Sequence, residues 1–372
     1  MTRLGVVKVG TSSITRESGE LDDSALLALC RGIAEARRAG HRVVLVLSGA
    51  IAAGMPALGL AHRPSHLGTL QAIAAVGQPR LLERVNAILG THGIVAGQVL
   101  LTPYDFIHRS QYLHARETLE RLLELDVLPV VNENDTVADD EIRYGDNDRP
   151  AALVSHMLRA DTLVMLTDTP GVFTADPRRD EAASLIEEIV EVDEALESGV
   201  GGAGTTRGSG GMASKLAAAR IAAWSGVRAV IASAETERVV LDALDGRPVG
   251  TSFAPRTQRL PSRKLWIAFA RRSEGRIVVD DGARDALVER GRSLLAAGIR
   301  DVEGSFEADA AVEVVDAGGR PFAKGLTRLG AATLRGVAGR RTAELPDGVS
   351  HEVVHRDDLV VLPERWGPNP RT

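Results

Sequence analysis

The chain is expected to fold as an α/β protein: a three-layer sandwich with a mostly parallel central sheet, followed by a small β-rich domain. Three observations predict this. Short runs rich in Val, Ile and Leu recur as "LGVVKVG", "HRVVLVLSG", "GIVAGQVLLT", "DVLPVVNEND", "DTLVMLTDTPG" and "VRAVIAS". Helical patterns alternate with them: "DDSALLALCRGIAEARRAG", "LGTLQAIAAVGQPRLLERVNAILG", "SQYLHARETLERLLEL" and "MASKLAAARIAAWSG". Late in the chain the alternation gives way to shorter strands, one helix and several Gly turns, as in "AAVEVVDAGGRPFAKGLTRL". Strands apolar on both faces belong to parallel sheets covered by helices on each side. Ligands of such sheets bind beyond the carboxyl ends of the strands, so the strand exits are where chemistry is sought.

A chain of 372 residues exceeds what one compact core usually organises. The pattern breaks at "VGTSFAPRTQRLPSRK", residues 249–264, with two prolines and clustered basic residues, the composition of a connector. The expected division is a catalytic domain over 1–258, a linker over 259–273 and a β-rich domain over 274–362. Aromatic residues are only 3%, so the core is expected to be aliphatic. The net charge of −6 argues against nucleic acid as the main partner, and Lys264 onward carries 17 basic and 17 acidic residues, with no basic excess. The single cysteine, Cys30, lies on the apolar helical pattern "LLALCRGIAEA" and is expected as a buried small hydrophobe. One cysteine permits no internal disulfide, which fits a reducing cytoplasm. The N-terminus enters an apolar strand with no basic leader, and no apolar stretch approaches the ~20 residues of a membrane span. A cytoplasmic protein with no membrane partner is expected.

At the first strand exit, "VVKVGTSS", Lys8 interrupts a run expected to be central, where a buried lysine is costly without an anion. Gly10, Thr11 and Ser12 would add backbone and hydroxyl donors beside it, as in a phosphate nest. The second exit holds Ser48-Gly49-Ala50, either a simple helix cap or donors aimed at a carboxylate. A later exit is "NENDTVADDEIRYGDND", Asn132 to Asp148, in which seven of seventeen residues are acidic and three are Asn. A metal site, a solvated loop and a pocket for a cationic or amphoteric ligand are all open readings of it. Thr167 and Asp168 close another strand. Last, a Gly-rich loop runs into a helix with Lys215 in its first turn, where the helix dipole disfavours a cation unless an anion sits between them. No Gly-Lys dipeptide occurs, which excludes a P-loop. "GVGGAG", residues 199–204, follows a polar segment rather than a strand and is not a dinucleotide fingerprint. The histidines show no paired metal-ligand spacing, and no protein metal site is expected.

These residues carry a family resemblance. "VVKVGTSSIT", "VLSGAIAAG", "LLTPYD", "PVVNENDTVA", "YGDND", "LTDTPGVFTADPR" and "SGGMASKLAAA" resemble glutamate 5-kinases of the amino acid kinase superfamily, over nearly the whole chain. The part after the linker resembles a PUA domain. Ser209 stands where relatives commonly have Thr. The resemblance implies the amino acid kinase fold and ATP-dependent phosphorylation of L-glutamate to γ-glutamyl phosphate, the first step toward proline. It assigns Lys8 and Lys215 to the transferring phosphoryl group, with Asp148 orienting the lysines. It gives the nucleotide to Thr167, Asp168, Ser209, Gly210, Gly211, Met212, Ala213, Ser214 and the same lysines, and glutamate to Ser48, Asp135 and Asn147. Asp135 suits the α-ammonium, and Asn147 can offer amide donors to a carboxylate. Asp139 and Asp140, between the two motifs, are expected in a solvated loop. Mg²⁺ is expected on the ATP phosphates. The resemblance further implies a homo-oligomer (dimer or tetramer), proline as feedback inhibitor, and a glutamyl phosphate reductase as the next enzyme. A carboxylate nucleophile is already ionised at neutral pH, which agrees with the absence of any His or Cys constellation.

Overall fold

The computed structural model describes residues 2–16, 18–137, 147–177, 180, 182–190, 211–257, 259–270, 273–346 and 348–362. The chain divides into two units, Met1–Arg259 and Leu260–Thr372. In the first, β1 (Leu4–Val9), β2 (Arg42–Leu47), β3 (Ala96–Leu101), β4 (Leu128–Glu133), β5 (Thr162–Thr167), β6 (Glu188–Ile189), β7 (Arg228–Ser233) and β8 (Thr251–Phe253) form one sheet. Its order is β3-β4-β2-β1-β5-β7-β8-β6. Every pairing is parallel except that of β7 with β8. The expected mostly parallel sheet is thus the one observed. All six residues of central β1 are buried, which is why the run is apolar on both faces.

The helices are α1 (Asp23–Arg38), α2 (Ala50–Gly54), α3 (Leu67–Gly90), α4 (Pro103–Ile107), α5 (Arg109–Glu124), α6 (Asp148–Met157), α7 (Met212–Trp224) and α8 (Val239–Asp245). Asp22 caps α1 by accepting from the Ser24 and Ala25 amides. Cys30 lies on the buried stripe of this helix, as expected, and burial pushes its thiol up to about 12, so it stays protonated and inert at neutral pH. Where α2 meets α3 there is no room for a side chain. A Cβ on Gly77 would stand 1.8 Å from the Ala50 carbonyl oxygen, and one on Gly54 would stand 2.2 Å from that of Ile73. This backbone-to-backbone contact seats α3 directly against the turn that follows β2.

His156, near the end of α6, is held neutral. Burial first, then the nearby Arg259 and Arg159 charges, bring its pKa from 6.5 to about 4. The unfolded chain therefore binds a proton between pH 6.5 and 4 that the folded chain does not, so stability falls as pH drops through that window. The loss is of order 2–3 kcal/mol by pH 4. Urea midpoints at pH 7 and 4.5 should show it in the wild type and show less of it in His156→Gln. An unchanged pH dependence in the variant would show that His156 is not its source.

The second unit has its own sheet, order β10-β14-β13-β12-β9-β11. Its strands are β9 (Gly275–Val279), β10 (Leu294–Leu295), β11 (Ile299–Gly304), β12 (Ala311–Val315), β13 (Pro321–Thr327) and β14 (Glu352–Val361). They enclose a separate core that includes Ile277, Val314, Leu334 and Val353. Two helices cover it, Asp281–Val288 and Ala331–Val337, rather than the one expected. The stretch around residues 249–273, Pro-containing and loop-like in composition, carries regular structure. Thr251–Phe253, within the expected catalytic domain, is strand β8 of the first sheet, and Ser262–Leu265 is helical and runs into a π-helical turn over Trp266–Ala270. Leu265 and Ile267 are buried, Arg263 pairs with Asp358 at 2.5 Å, and Lys324 Nζ donates to the Ala268 carbonyl at 3.4 Å. Burial of apolar side chains makes the residues from Leu260 on part of the second unit despite their loop-like composition. No helix among the described residues is long and apolar enough to cross a membrane.

Candidate active site

Strands β4, β2, β1 and β5 are neighbours in the sheet, so their carboxyl ends open onto one edge. Lys8, next to last in β1, pairs in register with Val46 and Met165 and is 1% exposed. Its Nζ lies 2.6 Å from Asp148 Oδ1 and folds back over the Gly10 turn, where an added Cβ would stand 3.5 Å from it. The other carboxylate oxygen, Oδ2, accepts from Ser214 Oγ at 2.5 Å and lies 3.5 Å from Lys215 Nζ. Asp148 begins α6, where the helix dipole favours an anion. Lys215 sits in the first turn of α7, whose N-terminus has no side-chain cap and no acidic residue.

Lys8 and Lys215 thus share the buried Asp148 carboxylate, one on each of its oxygens. Buried charge is costly unless it is paired, and two ammonium groups held on one carboxylate are placed to meet the oxygens of an anionic group. The backbone N–H groups at the start of α7 are donors of the kind that suit an anion.

Beside this cluster runs a chain of buried amides. Asn147 Nδ2 donates toward the Leu47 carbonyl at 3.1 Å, Ser48 Oγ at 2.9 Å and Asn132 Oδ1 at 2.7 Å. Asn132 Oδ1 also accepts from the Glu133 amide at 2.9 Å, while Asn132 Nδ2 donates to Gln78 Oε1 at 2.7 Å. Asn147 Oδ1 is buried without a hydrogen-bond partner among the described residues. Asn147 was expected to offer amide donors to a carboxylate. Here those donors are engaged within the protein, and what remains is an acceptor, suited to an ammonium or another donor.

The other expected residues fall around this centre. Gly49 precedes α2 with φ of 108°, a left-handed geometry that favours glycine and turns the chain sharply after Ser48. Asp135 is half-buried in the turn after β4. Thr167 is buried at the end of β5 and donates to exposed Asp168 Oδ1 at 3.1 Å. Gly211 caps α7, and Met212 and Ala213 are in its first turn. Ser209, Gly210, Asp139, Asp140 and the "GVGGAG" stretch lie outside the described residues. Among the described residues no three His, Cys, Asp or Glu side chains gather as a metal site. Asn132 and Gln78 were not among the expected residues. The signal in the sequence was a polar side chain on an apolar face. Gln78 lies on the buried stripe of α3 with Ile73, Ala74, Gly77 and Leu81, and Asn132 lies in a fully buried strand.

Comparison with known proteins gives the family. Residues 3–233 match the amino acid kinase family and residues 275–349 the PUA domain. Glutamate 5-kinase of Frankia casuarinae is 49% identical over 96% of each chain. Those of Moorella thermoacetica and Vibrio campbellii are 44% and 43% identical, again over 96% of each chain. In fold, a carbamate kinase from Giardia lamblia bound to AMP-PNP superposes with a TM-score of 0.51 at 18% identity, over 68% of this chain and 99% of that one. The chain therefore belongs to the glutamate 5-kinase family of amino acid kinases, with a PUA domain as its second unit.

Proposed function

We propose that this enzyme transfers the γ-phosphoryl group of Mg·ATP to the γ-carboxylate of L-glutamate. The products are ADP and γ-glutamyl 5-phosphate, and the step opens proline biosynthesis. The observation that carries the reading is the buried Lys8–Asp148–Lys215 bridge, set beside the buried amides at the strand exits. Phosphoryl transfer asks the protein mainly for positioning and for stabilisation of charge on the transferring group. A γ-carboxylate oxygen attacks the γ-phosphorus, the bond to the β–γ bridging oxygen breaks, and that oxygen's charge leaves on ADP. No proton moves, so no general base is needed. Lys8 and Lys215 face the equatorial oxygens and Asp148 holds both ammonium groups in place; Mg²⁺, brought in with ATP, would supply further charge neutralisation at the phosphates.

The nucleotide is assigned to Thr167, Asp168 and the loop Ser209-Gly210-Gly211-Met212-Ala213-Ser214 with the two lysines. Glutamate is assigned to Ser48, Asp135 and Asn147, with Asp135 and Asn147 Oδ1 on the α-ammonium. Proline as a feedback inhibitor, assembly into a dimer or tetramer, and delivery of the labile acyl phosphate to a reductase belong to the same reading. The test is glutamate-dependent ADP release from Mg·ATP in wild type and Asp135→Asn. The variant is expected to raise KM for glutamate by about 10-fold or more, since hydrogen bonds to charged groups are worth about 1.5–3 kcal/mol, with KM for Mg·ATP little changed. An unchanged glutamate KM would remove Asp135 from the acceptor site.

A further inference from the structure

Gln78 reaches no reacting group, yet it is 8% exposed on an otherwise apolar helical stripe and ends a chain of amides that leads into the acceptor pocket. The polarity of that chain is fixed at both ends by the backbone. The Glu133 N–H can only donate, so it requires Asn132 to present Oδ1. The Leu47 carbonyl can only accept, so it requires Asn147 to present Nδ2. With those two choices made, Asn132 Nδ2 must point away from Asn147, and it meets Gln78 Oε1. Asn147 Oδ1 is then the atom left over at the pocket. Asn132 and Asn147 are 3% and 5% exposed, so water is a poor substitute for any link. Gly77, packed on the Ala50 backbone, fixes how closely Gln78 approaches.

We propose that Gln78 is a positioning residue for acceptor selection: by taking the Asn132 amide it holds Asn147 with Oδ1 toward the acceptor's ammonium group. This rests on the glutamate reading above. If Gln78 is replaced by Met, similar in length and apolar, Asn132 Nδ2 becomes a buried donor with nothing to bond. Asn132 then turns to satisfy it, and Asn147 loses its fixed orientation.

The test compares L-glutamate with glutarate, which keeps the reacting carboxylate and lacks the amine, by hydroxamate formation in Mg·ATP. In the wild type, kcat/KM for glutamate is expected to exceed that for glutarate. In Gln78→Met the ratio is expected to narrow about tenfold, the effect of one unmade buried hydrogen bond, through KM for glutamate and without change in KM for Mg·ATP. Gln78→Glu retains an acceptor oxygen at the same reach and is expected to keep most of the wild-type ratio. A folding defect alone would lower both substrates equally. An unchanged ratio in Gln78→Met, or equal losses in Met and Glu variants, would overturn the proposal while leaving the glutamate reading intact. A wild type that makes no hydroxamate from glutamate would overturn both.

Discussion

Asp148→Asn is expected to lower kcat about 10²–10³-fold, the scale seen when one preorganised electrostatic group is lost. It is also expected to destabilise the ligand-free enzyme by about 3–5 kcal/mol, the usual cost of removing one partner from a buried ion pair. The reason is specific to the site. Asp148 is the carboxylate seen between Lys8 and Lys215, and an amide there would take the counter-charge from between two buried cations. Mg·ATP supplies anionic oxygens to the same two lysines, so the nucleotide should raise the Tm of the variant more than that of the wild type. Thermal melts with and without Mg·ATP, alongside steady-state kinetics, check this. A variant that melts like the wild type and retains turnover would show that the lysines do not depend on Asp148.

Gly77→Ala is the second large expected effect, and two opposing effects compete in it. Alanine favours a helix over glycine by about 1 kcal/mol, which on its own would stabilise α3. The new Cβ, however, would lie 1.8 Å from the Ala50 carbonyl oxygen and 2.5 Å from the Gly54 nitrogen. Both are backbone atoms, which cannot swing aside as a side chain would. Overpacking costs about 1–3 kcal/mol and sometimes more, so the steric effect wins. Separation of α2 from α3 would also shift the Ser48-Gly49-Ala50 turn and draw Gln78 away from Asn132. Lower stability is expected together with an approximately tenfold rise in KM for glutamate, the scale of one broken buried hydrogen bond. Unfolding midpoints and initial rates measure the two halves, and a variant as stable and active as the wild type would contradict the packing argument.

The strands were legible because central ones are buried on both faces, so Leu4–Val9 and Thr162–Thr167 are nearly unbroken apolar runs. Lys8 stood out for the same reason, as a charge where the pattern allowed none. Helix α6 was not legible. Eight of its ten residues are buried, so it has no polar face to set a helical period, and its first residues belong to the acidic stretch. Strand β8 is three residues long and borders the Pro-rich segment, too short for a period of two to show. The Lys8–Asp148–Lys215 grouping followed from family motifs. Asn132 and Gln78 remained hidden because their role depends on which atom of each amide faces which backbone group, a matter of tertiary packing with no local sequence period.

The most direct measurement is hydroxylamine trapping of the product formed from Mg·ATP, with L-glutamate and N-acetyl-L-glutamate compared side by side. Hydroxamate with glutamate alone is the predicted result: it would show acyl phosphate formation and a pocket that requires a free ammonium. Hydroxamate from the acetylated compound, or from neither, would contradict the substrate assignment, while the fold and the family would stand.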